Sequence, residues 1–254
     1  MSSSIWTRCG RRTERLEARP WRAVEAQHLV STRKLVDTDA EHEALEELIE
    51  ASKPPLPTAR RGAGAGLHYL LATPFRYPPL PHGSRFGARS ERGIWYGADA
   101  VATALAEVAY YRLLFAEGTA ASILPLTLQL SVFQAQVTAA KAVDLSRPPF
   151  SRYQARISSP SAYDESQRLG AEMRADGVEA CRYASARDPA GGTNVAVFTP
   201  EAFARRTPSP DQKWLCTVAA SGVAFTKADL LRRERIAFSR QVFLVDGKLP
   251  RPAV

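Results

Sequence analysis

The chain has 254 residues, of which 45% are hydrophobic and 24% are charged, a balance typical of a soluble globular protein with one large domain. No apolar run approaches the roughly 18 residues that span a bilayer, so a membrane protein is not expected. The formal net charge is +8 and comes mostly from Arg, whose planar guanidinium group grips phosphates bidentately. A charged, solvated surface is enough to explain this net charge. The excess of Arg over Lys slightly favours a phosphate-bearing ligand as the alternative explanation.

Cysteine and histidine give no sign of a metal site. The chain has an odd number of cysteines, Cys9, Cys181 and Cys216, which are widely spaced and form no C-x-x-C motif. This pattern predicts a reducing, cytoplasmic setting and no disulfide scaffold. The four histidines form no H-E-x-x-H motif. No metal is therefore expected.

The first 66 residues predict an N-terminal helical extension followed by a linker. Residues 1 to about 30 are rich in Arg and contain no apolar segment of the secretory type, so no secretory signal is expected. Thr38 and Glu41 have capping-box spacing and open a helix that ends before Pro54. Residues 54–66, PPLPTARRGAGAG, have linker composition.

Residues 67–254 predict one α+β domain. A helix is expected from about 99 to 116 with Asp99 as its N-cap, and a second from 163 to 176 ended by Gly177. Strands are expected at 93–97, 127–132, 177–183, 194–198, 214–226 and 236–245. Short strands with a few helices favour α+β over a regular βαβ repeat.

One stretch, residues 74–112, combines a basic loop with aromatic residues and a single acid in an apolar helix. Arg76 lies between Phe75 and Tyr77, and Arg85 precedes Phe86. This alternation suits a flat, cationic, phosphate-bearing ligand such as a nicotinamide dinucleotide, and it equally suits single-stranded nucleic acid. Glu107 lies at the margin of the apolar face, where it either touches solvent or faces a pocket.

The same segment resembles the RES-domain family. Its motifs are FRYPP, GSRFG, GIWYG, TALAE, RYASARD and the pair Asn194-Val195, with core motifs over residues 74–198. By this resemblance the catalytic residues are Glu107, Arg76 and Ser185, with Ser166 and Ser161 as rivals for the serine position. The residues that bind NAD are then Arg85, Tyr77, Tyr96 and Asn194.

The resemblance also implies a fold and a function. The fold is ADP-ribosyltransferase-like, with two small β-sheets packed together, helices around them and a dinucleotide in the cleft. Relatives are cytoplasmic toxins of bacterial toxin–antitoxin pairs that degrade NAD, their substrate, by cleaving the nicotinamide–ribose bond with water or phosphate. Their usual partner is a helix-turn-helix antitoxin.

Three other functions stay open at the level of the sequence. The same cleft would serve a mono-ADP-ribosyltransferase that modifies a protein, or belong to a degenerate member kept as a binding partner. A basic, non-catalytic nucleic-acid-binding protein is the third alternative, although direct nucleic-acid binding is not the expectation. The sequence does not fix the acceptor, the role of residues 1–66 or the oligomeric state, so a homo-oligomer stays open.

The chemistry of these residue types fits the NAD hypothesis. Cleavage of the nicotinamide–ribose bond develops oxocarbenium character on the ribose, which a nearby carboxylate such as Glu107 stabilises. Arg76 and Arg85 would grip the pyrophosphate, and Tyr77 and Tyr96 would wall the nicotinamide ring. Ser185 would hydrogen-bond a ligand oxygen, because no His lies near it in sequence to make it a nucleophile.

Overall fold

The computed structural model describes residues 3–26, 35–54, 66–79, 81–121, 123–229 and 234–251. Within these ranges ten strands form one sheet in the order β1-β5-β6-β7-β3-β2-β4-β8-β9-β10. The strands are β1 Glu14–Ala18, β2 Trp21–Glu25, β3 Trp95–Ala98, β4 Leu126–Gln134, β5 Val137–Asp144, β6 Ala180–Ala184, β7 Thr193–Val197, β8 Gln212–Ala219, β9 Gly222–Lys227 and β10 Arg235–Ser239. Among these ten strands of the described residues, β5 and β6 are the one pair of neighbours that runs parallel.

Helices accompany this sheet, so the expected α+β class is confirmed in its general form. In the part of the chain that the structure describes, the α-helices are α1 Ile5–Arg8, α2 Asp39–Ser52, α3 Tyr69–Arg76, α4 Val101–Gly118, α5 Gln154–Ile157 and α6 Asp164–Ala175. Among the same residues, no helix combines the length and apolarity that crossing a membrane requires.

The sheet consists of two five-stranded halves. Strands β2 and β3 join the halves, and their register contains the single pair Trp21 and Ala98. Each remaining pair of neighbouring strands runs over at least three residue pairs, up to seven between β4 and β8. We expected two separate packed sheets, whereas the structure has one continuous sheet with a narrow joint. The ADP-ribosyltransferase-like detail of the fold stays a prediction.

The N-terminal residues belong to this sheet, which corrects the expectation of a helical extension. β1 pairs with β5, and β2 pairs with both β3 and β4. Trp6 is 1% exposed and donates its indole N–H to the Asp176 carboxylate at 2.6 Å. Both strands have five residues and little alternation of burial, so their own pattern is weak and their partners in the sheet stabilise them.

Only α2 matches the predicted extension helix. Thr38 Oγ1 accepts a hydrogen bond from the Glu41 backbone N–H at 3.2 Å, and the Glu41 carboxylate accepts one from the Thr38 backbone N–H at 3.0 Å. The predicted capping box is therefore present. The predicted linker lies outside the described residues except for Pro54 and Gly66.

Helix α4 packs across the joint of the sheet. Its buried side contacts β3 and β7 of one half and β2, β8, β9 and β10 of the other. The side chains of the helix that are at most 1% exposed are Thr103, Leu105, Ala106, Ala109, Tyr110 and Leu113. The helix lies where it was predicted, and burial of its apolar side against both halves of the sheet stabilises the joint.

The predicted N-cap of α4 is wrong. Ala100 occupies the N-cap position without a side-chain hydrogen bond. The Asp99 carboxylate instead accepts hydrogen bonds from Arg182 Nε at 2.9 Å and Thr193 Oγ1 at 2.6 Å. These partners lie on β6 and β7. The Asp99 side chain therefore hydrogen-bonds to strands that are distant in sequence and does not cap the helix, although its local sequence predicted a cap.

Two helical glycines test how tightly α6 packs on the loop before β3. A Cβ at Gly170 would lie 2.1 Å from the carbonyl oxygen of Phe86, whereas one at Gly118 meets nothing within 4 Å. We expect Gly170→Ala to lower the free energy of unfolding by about 1–3 kcal/mol, because backbone must shift. Gly118→Ala should be neutral or stabilising by up to about 1 kcal/mol, since Ala has the higher helix propensity.

Urea unfolding of both variants beside the unmodified protein measures these changes. Equal stability of the two variants would contradict the tight contact between α6 and Phe86.

Candidate active site

A cleft of about 740 Å³ opens at the joint between the two halves of the sheet. Its walls come from β2, α3, the loop before β3, β3, α4 and β7. Six lining residues bear on the chemistry: Arg22, Tyr77, Arg85, Tyr96, Glu107 and Asn194. Five of these six are among the predicted site residues, so the structure brings most of the predicted set to one cavity.

Glu107 is fixed in the wall of this cleft by two hydrogen bonds. Its Oε1 accepts from Ser185 Oγ and from Asn194 Nδ2, each at 2.7 Å. Ser185 directly follows β6, and Asn194 lies on β7 with 2% of its surface exposed. Among the described residues no donor hydrogen-bonds Glu107 Oε2. One carboxylate oxygen is thus held by protein donors, and the other stays available to a ligand.

Asn194 is oriented by this contact. Its Oδ1 is buried and has no hydrogen-bond partner in the described part of the chain. The donation from Nδ2 to Glu107 is therefore the polar contact that determines the orientation of the amide.

Ser185 acts on Glu107, and it is not among the residues that line the cleft. Its Oγ also accepts the backbone N–H groups of Arg187 at 3.1 Å and Asp188 at 3.0 Å. Of the rival serines, Ser166 donates to the Tyr163 carbonyl at 3.0 Å, and Ser161 is exposed with its backbone N–H bonded to Ser159. Of these three serines, only Ser185 contacts Glu107.

Arg85 lines the cleft from a nearly buried position, with 8% of its surface exposed. Its Nη1 donates to the carbonyls of Ile157 at 3.2 Å and Ser159 at 2.9 Å, and its Cζ lies 4.7 Å from the centre of the Tyr163 ring. A guanidinium group carries five N–H donors, and these two carbonyls engage one nitrogen. Arg85 is therefore fixed in position and keeps donors for a ligand.

The two predicted tyrosines differ in their surroundings. The Tyr96 hydroxyl accepts the Phe86 backbone N–H at 3.1 Å and hydrogen-bonds Ser84 Oγ at 2.9 Å. Burial raises the pKa of Tyr96, against the smaller opposing effects of these hydrogen bonds, so the phenol stays neutral. Tyr96 thereby holds the turn that carries Arg85. Tyr77 is 39% exposed and lines the cleft as an aromatic wall.

Arg76 does not line the cleft. It is the last residue of α3, is half-buried, and donates from Nε to the backbone carbonyl of Pro54. Arg76 therefore does not belong to the lining that Glu107 and Arg85 share, while its neighbour Tyr77 does. On a short segment after a helix, adjacent side chains point in different directions, which the dipeptide alone does not show.

Arg22 is the cationic cleft residue that the sequence analysis missed. Its Nη1 donates to the Tyr96 carbonyl at 2.8 Å, its Cζ lies 5.4 Å from the Trp95 ring centre, and its Nε is enclosed without a partner. Burial lowers the pKa of Arg22 to about 10. Arg22 forms no ion pair within the described ranges, so an anionic ligand would compensate its desolvation. The available signal was its neighbour Trp21, because the same Arg–aromatic pattern marks Arg76 and Arg85.

The cysteines of the chain are not set up for thiolate chemistry. All three cysteines are free and buried. Burial raises the pKa of Cys216 to about 11 and that of Cys181 further, so neither is a thiolate nucleophile at neutral pH. Within the described residues, no group of three His, Cys, Asp or Glu side chains is arranged to hold a metal ion.

Comparisons with known proteins identify a family. The model of the RES domain matches residues 55–218, which is more than half of the chain. No curated protein matches. A solved structure described as the crystal structure of the M. tuberculosis MbcT-MbcA toxin-antitoxin complex matches with 15% identity and a TM-score of 0.47, covering 86% of this chain and 93% of that chain. This structural likeness is too weak to carry an argument about fold or function.

The hydroxyl of Tyr96 offers a test of the turn that carries Arg85. We expect Tyr96→Phe to lower the free energy of unfolding by about 1–3 kcal/mol, because the Phe86 N–H in the core loses its acceptor. Tyr153→Phe is the matched control, since the Tyr153 hydroxyl has no hydrogen-bond partner among the described residues. Chemical unfolding measures both variants, and an equal effect would show that the hydroxyl of Tyr96 does not hold the turn.

Proposed function

Because the chain belongs to the RES-domain family, we propose that it is an enzyme that degrades NAD by breaking the bond between nicotinamide and ribose. The observation that carries this proposal is the hydrogen bonding of the Glu107 carboxylate. Ser185 and Asn194 hold its Oε1, and Oε2 is left to a cleft that also contains guanidinium groups and aromatic rings. Such a cleft fits a ligand with a cationic ring, a ribose and two phosphates.

The position of Glu107 fits the chemistry of this bond. As nicotinamide leaves, positive charge develops on the ribose ring, and a fixed carboxylate lowers the energy of that transition state. Two donors on Oε1 keep the carboxylate in one orientation before the substrate binds, so little reorganisation is needed during the reaction. Glu107 is the catalytic residue in this proposal. Oε2 would contact the ribose or orient the acceptor.

Arg22 and Arg85 would bind the pyrophosphate. Both line the cleft, and both keep N–H donors that the protein does not engage. Arg22 thus takes the part that the sequence analysis gave to Arg76, because Arg76 lies outside the lining. Tyr77 would wall the nicotinamide ring, and Tyr96 contributes mainly by holding the turn of Arg85.

The biological role is proposed from the family alone. The enzyme would act in the cytoplasm as the toxin of a toxin–antitoxin pair, with a helix-turn-helix antitoxin as its partner. Water or phosphate would accept the ADP-ribosyl group, and no metal would take part. The same cleft with a protein nucleophile as acceptor would give mono-ADP-ribosylation, so the acceptor must be measured.

Glu107→Gln tests the proposed reaction. We expect the purified protein, free of antitoxin, to consume NAD, and we expect Glu107→Gln to lower the rate by about 100-fold or more, because the substitution keeps the shape and removes the charge. Glu117→Gln is the matched control: Glu117 lies on the same helix, outside the cleft, in an ion pair with Arg240. Its rate should stay that of the unmodified protein.

The assay follows NAD loss with and without phosphate, which identifies the acceptor. Absence of NAD loss from folded protein in both conditions would refute the proposal. Intact-mass analysis of candidate target proteins incubated with NAD then tests ADP-ribosylation, and salt-sensitive retention on DNA or RNA tests nucleic-acid binding.

A pair of arginine variants tests the phosphate site. We expect Arg22→Gln to raise the KM for NAD by about tenfold to a hundredfold, because a charge-assisted hydrogen bond contributes about 1.5–3 kcal/mol. Arg76→Gln should change KM far less, since Arg76 does not line the cleft. Steady-state kinetics of both variants decide the assignment. A larger effect at Arg76 would restore the arginine chosen from the sequence.

A further inference from the structure

The loop of residues 185–188 lies along one side of α4 and makes three successive contacts with it. Thr103 Oγ1 donates to the Asp188 carboxylate at 2.7 Å, Ser185 Oγ donates to Glu107 Oε1 at 2.7 Å, and the guanidinium of Arg187 stacks on Tyr110. The helix positions 103, 107 and 110 are four and three residues apart and therefore share one side of the helix. The contact of Ser185 with Glu107 is thus flanked by an anchor on each side.

Arg187 provides the anchor that follows Glu107 along the helix. Its side chain is 3% exposed, its Cζ lies 3.5 Å from the centre of the Tyr110 ring, and its Nη2 donates to the Pro160 carbonyl at 2.6 Å. Arg187 forms no ion pair among the described residues. A buried guanidinium without a carboxylate partner depends on a stacked ring and hydrogen-bonded carbonyls to compensate its desolvation. The loop is stable in this register only while Arg187 keeps both partners.

The short segment 157–160 connects this anchor to the rest of the cleft. The carbonyls of residues 157 and 159 accept hydrogen bonds from Arg85, and the carbonyl of residue 160 accepts one from Arg187. Ser158 Oγ donates to the Ala184 carbonyl at 2.6 Å, directly before Ser185. The two buried arginines therefore hold one segment between them. A shift of Arg187 would displace both the serine loop and the support of Arg85.

We propose that Arg187 is a positioning residue for the reaction proposed above. It docks the loop 185–188 on α4, and it thereby places the hydroxyl of Ser185 on Glu107 Oε1 and leaves Oε2 toward the substrate. Arg187 and Tyr110 are not among the residues that line the cleft, so Arg187 acts through Ser185 and Glu107 without touching the substrate. The role of Glu107 as the group being positioned rests on the proposed function. The docking of the loop 185–188 by Arg187 rests on the structure alone.

Arg187→Lys is the principal test, because Lys keeps the charge but lacks the planar group that stacks on Tyr110. We expect kcat for NAD loss to fall by about tenfold to a hundredfold, since a small misplacement of a catalytic group costs that much. KM should stay within about threefold, because the residues that line the cleft are unchanged.

Arg152→Lys is the matched control. The Arg152 guanidinium also contacts an aromatic ring, with Cζ 5.0 Å from the centre of Tyr153, donates to the Arg8 carbonyl at 3.3 Å, and forms no ion pair among the described residues. It does not line the cleft and does not touch the loop 185–188. We expect its kcat to equal that of the unmodified protein. A kcat of Arg187→Lys that matches the control would overturn the proposal.

A second readout is independent of NAD. The backbone N–H groups of Arg187 and Asp188 donate to Ser185 Oγ, so amide hydrogen exchange over residues 185–188 reports the docking directly. We expect faster exchange there in Arg187→Lys than in Arg152→Lys. Unchanged exchange would refute the docking. If the unmodified protein consumes no NAD, the proposed function fails, and the exchange measurement alone decides the role of Arg187 in docking the loop.

Thr103→Val keeps the inference testable if Arg187→Lys does not fold. It keeps the shape of Thr103 and removes the hydrogen bond to Asp188, so it loosens the other anchor of the loop without disturbing a buried charge. We expect the same pattern, a lower kcat with KM retained and faster exchange over residues 185–188. If Thr103→Val showed neither the lower kcat nor the faster exchange, the docking of the loop at flanking anchors would be contradicted.

Discussion

The packing of α4 across the joint of the sheet is the interaction on which the rest of the molecule depends. The two halves of the sheet share one residue pair between β2 and β3, so backbone hydrogen bonds alone hold them weakly together. The apolar side of α4 contacts strands of both halves and closes the joint. The cleft opens at the same place, and Glu107 lies in its wall because α4 does.

The cleft is built from side chains that are held before any ligand arrives. Tyr96 holds the turn of Arg85, the carbonyls of segment 157–160 hold the guanidinium of Arg85, and Ser185 with Asn194 holds Glu107. Except for the contact of Tyr96 with Phe86, these restraints join residues that are more than 70 positions apart in the sequence. A site fixed in this way can stabilise a developing charge without reorganising, which is the arrangement that the proposed cleavage at a ribose would need.

The charges of the cleft favour an anionic ligand with a cationic part. Arg22 and Arg85 bring two guanidinium groups that have no carboxylate partner within the described residues, and Glu107 brings one carboxylate. Arg112 and Glu25 also line the cleft but form an ion pair with each other at 2.6 Å. Desolvated cations without carboxylate partners are costly to the free protein, so the proposed phosphate-bearing ligand would bind where its charge relieves that cost. The aromatic side chains at the same place provide surfaces for flat rings. The net charge of +8 agrees with an excess of positive charge in the cleft, but the net charge alone does not show where on the molecule that excess lies.

The sequence by itself determined the α+β class and the helix that carries Glu107, because both follow from local periodicity, and its resemblance to the RES-domain family predicted five of the six residues that the structure brings to the cleft. It did not show that residues 14–25 belong to the sheet, that Asp99 binds Arg182 and Thr193 and does not cap α4, or that Arg22 and not Arg76 reaches the cleft. Only the tertiary structure decided these points, because each depends on strand pairing and on side-chain direction across long sequence separations. The resemblance had already favoured Ser185, with Ser166 and Ser161 as rivals. The contact of Ser185 with Glu107 depends on tertiary structure, since 78 residues separate them.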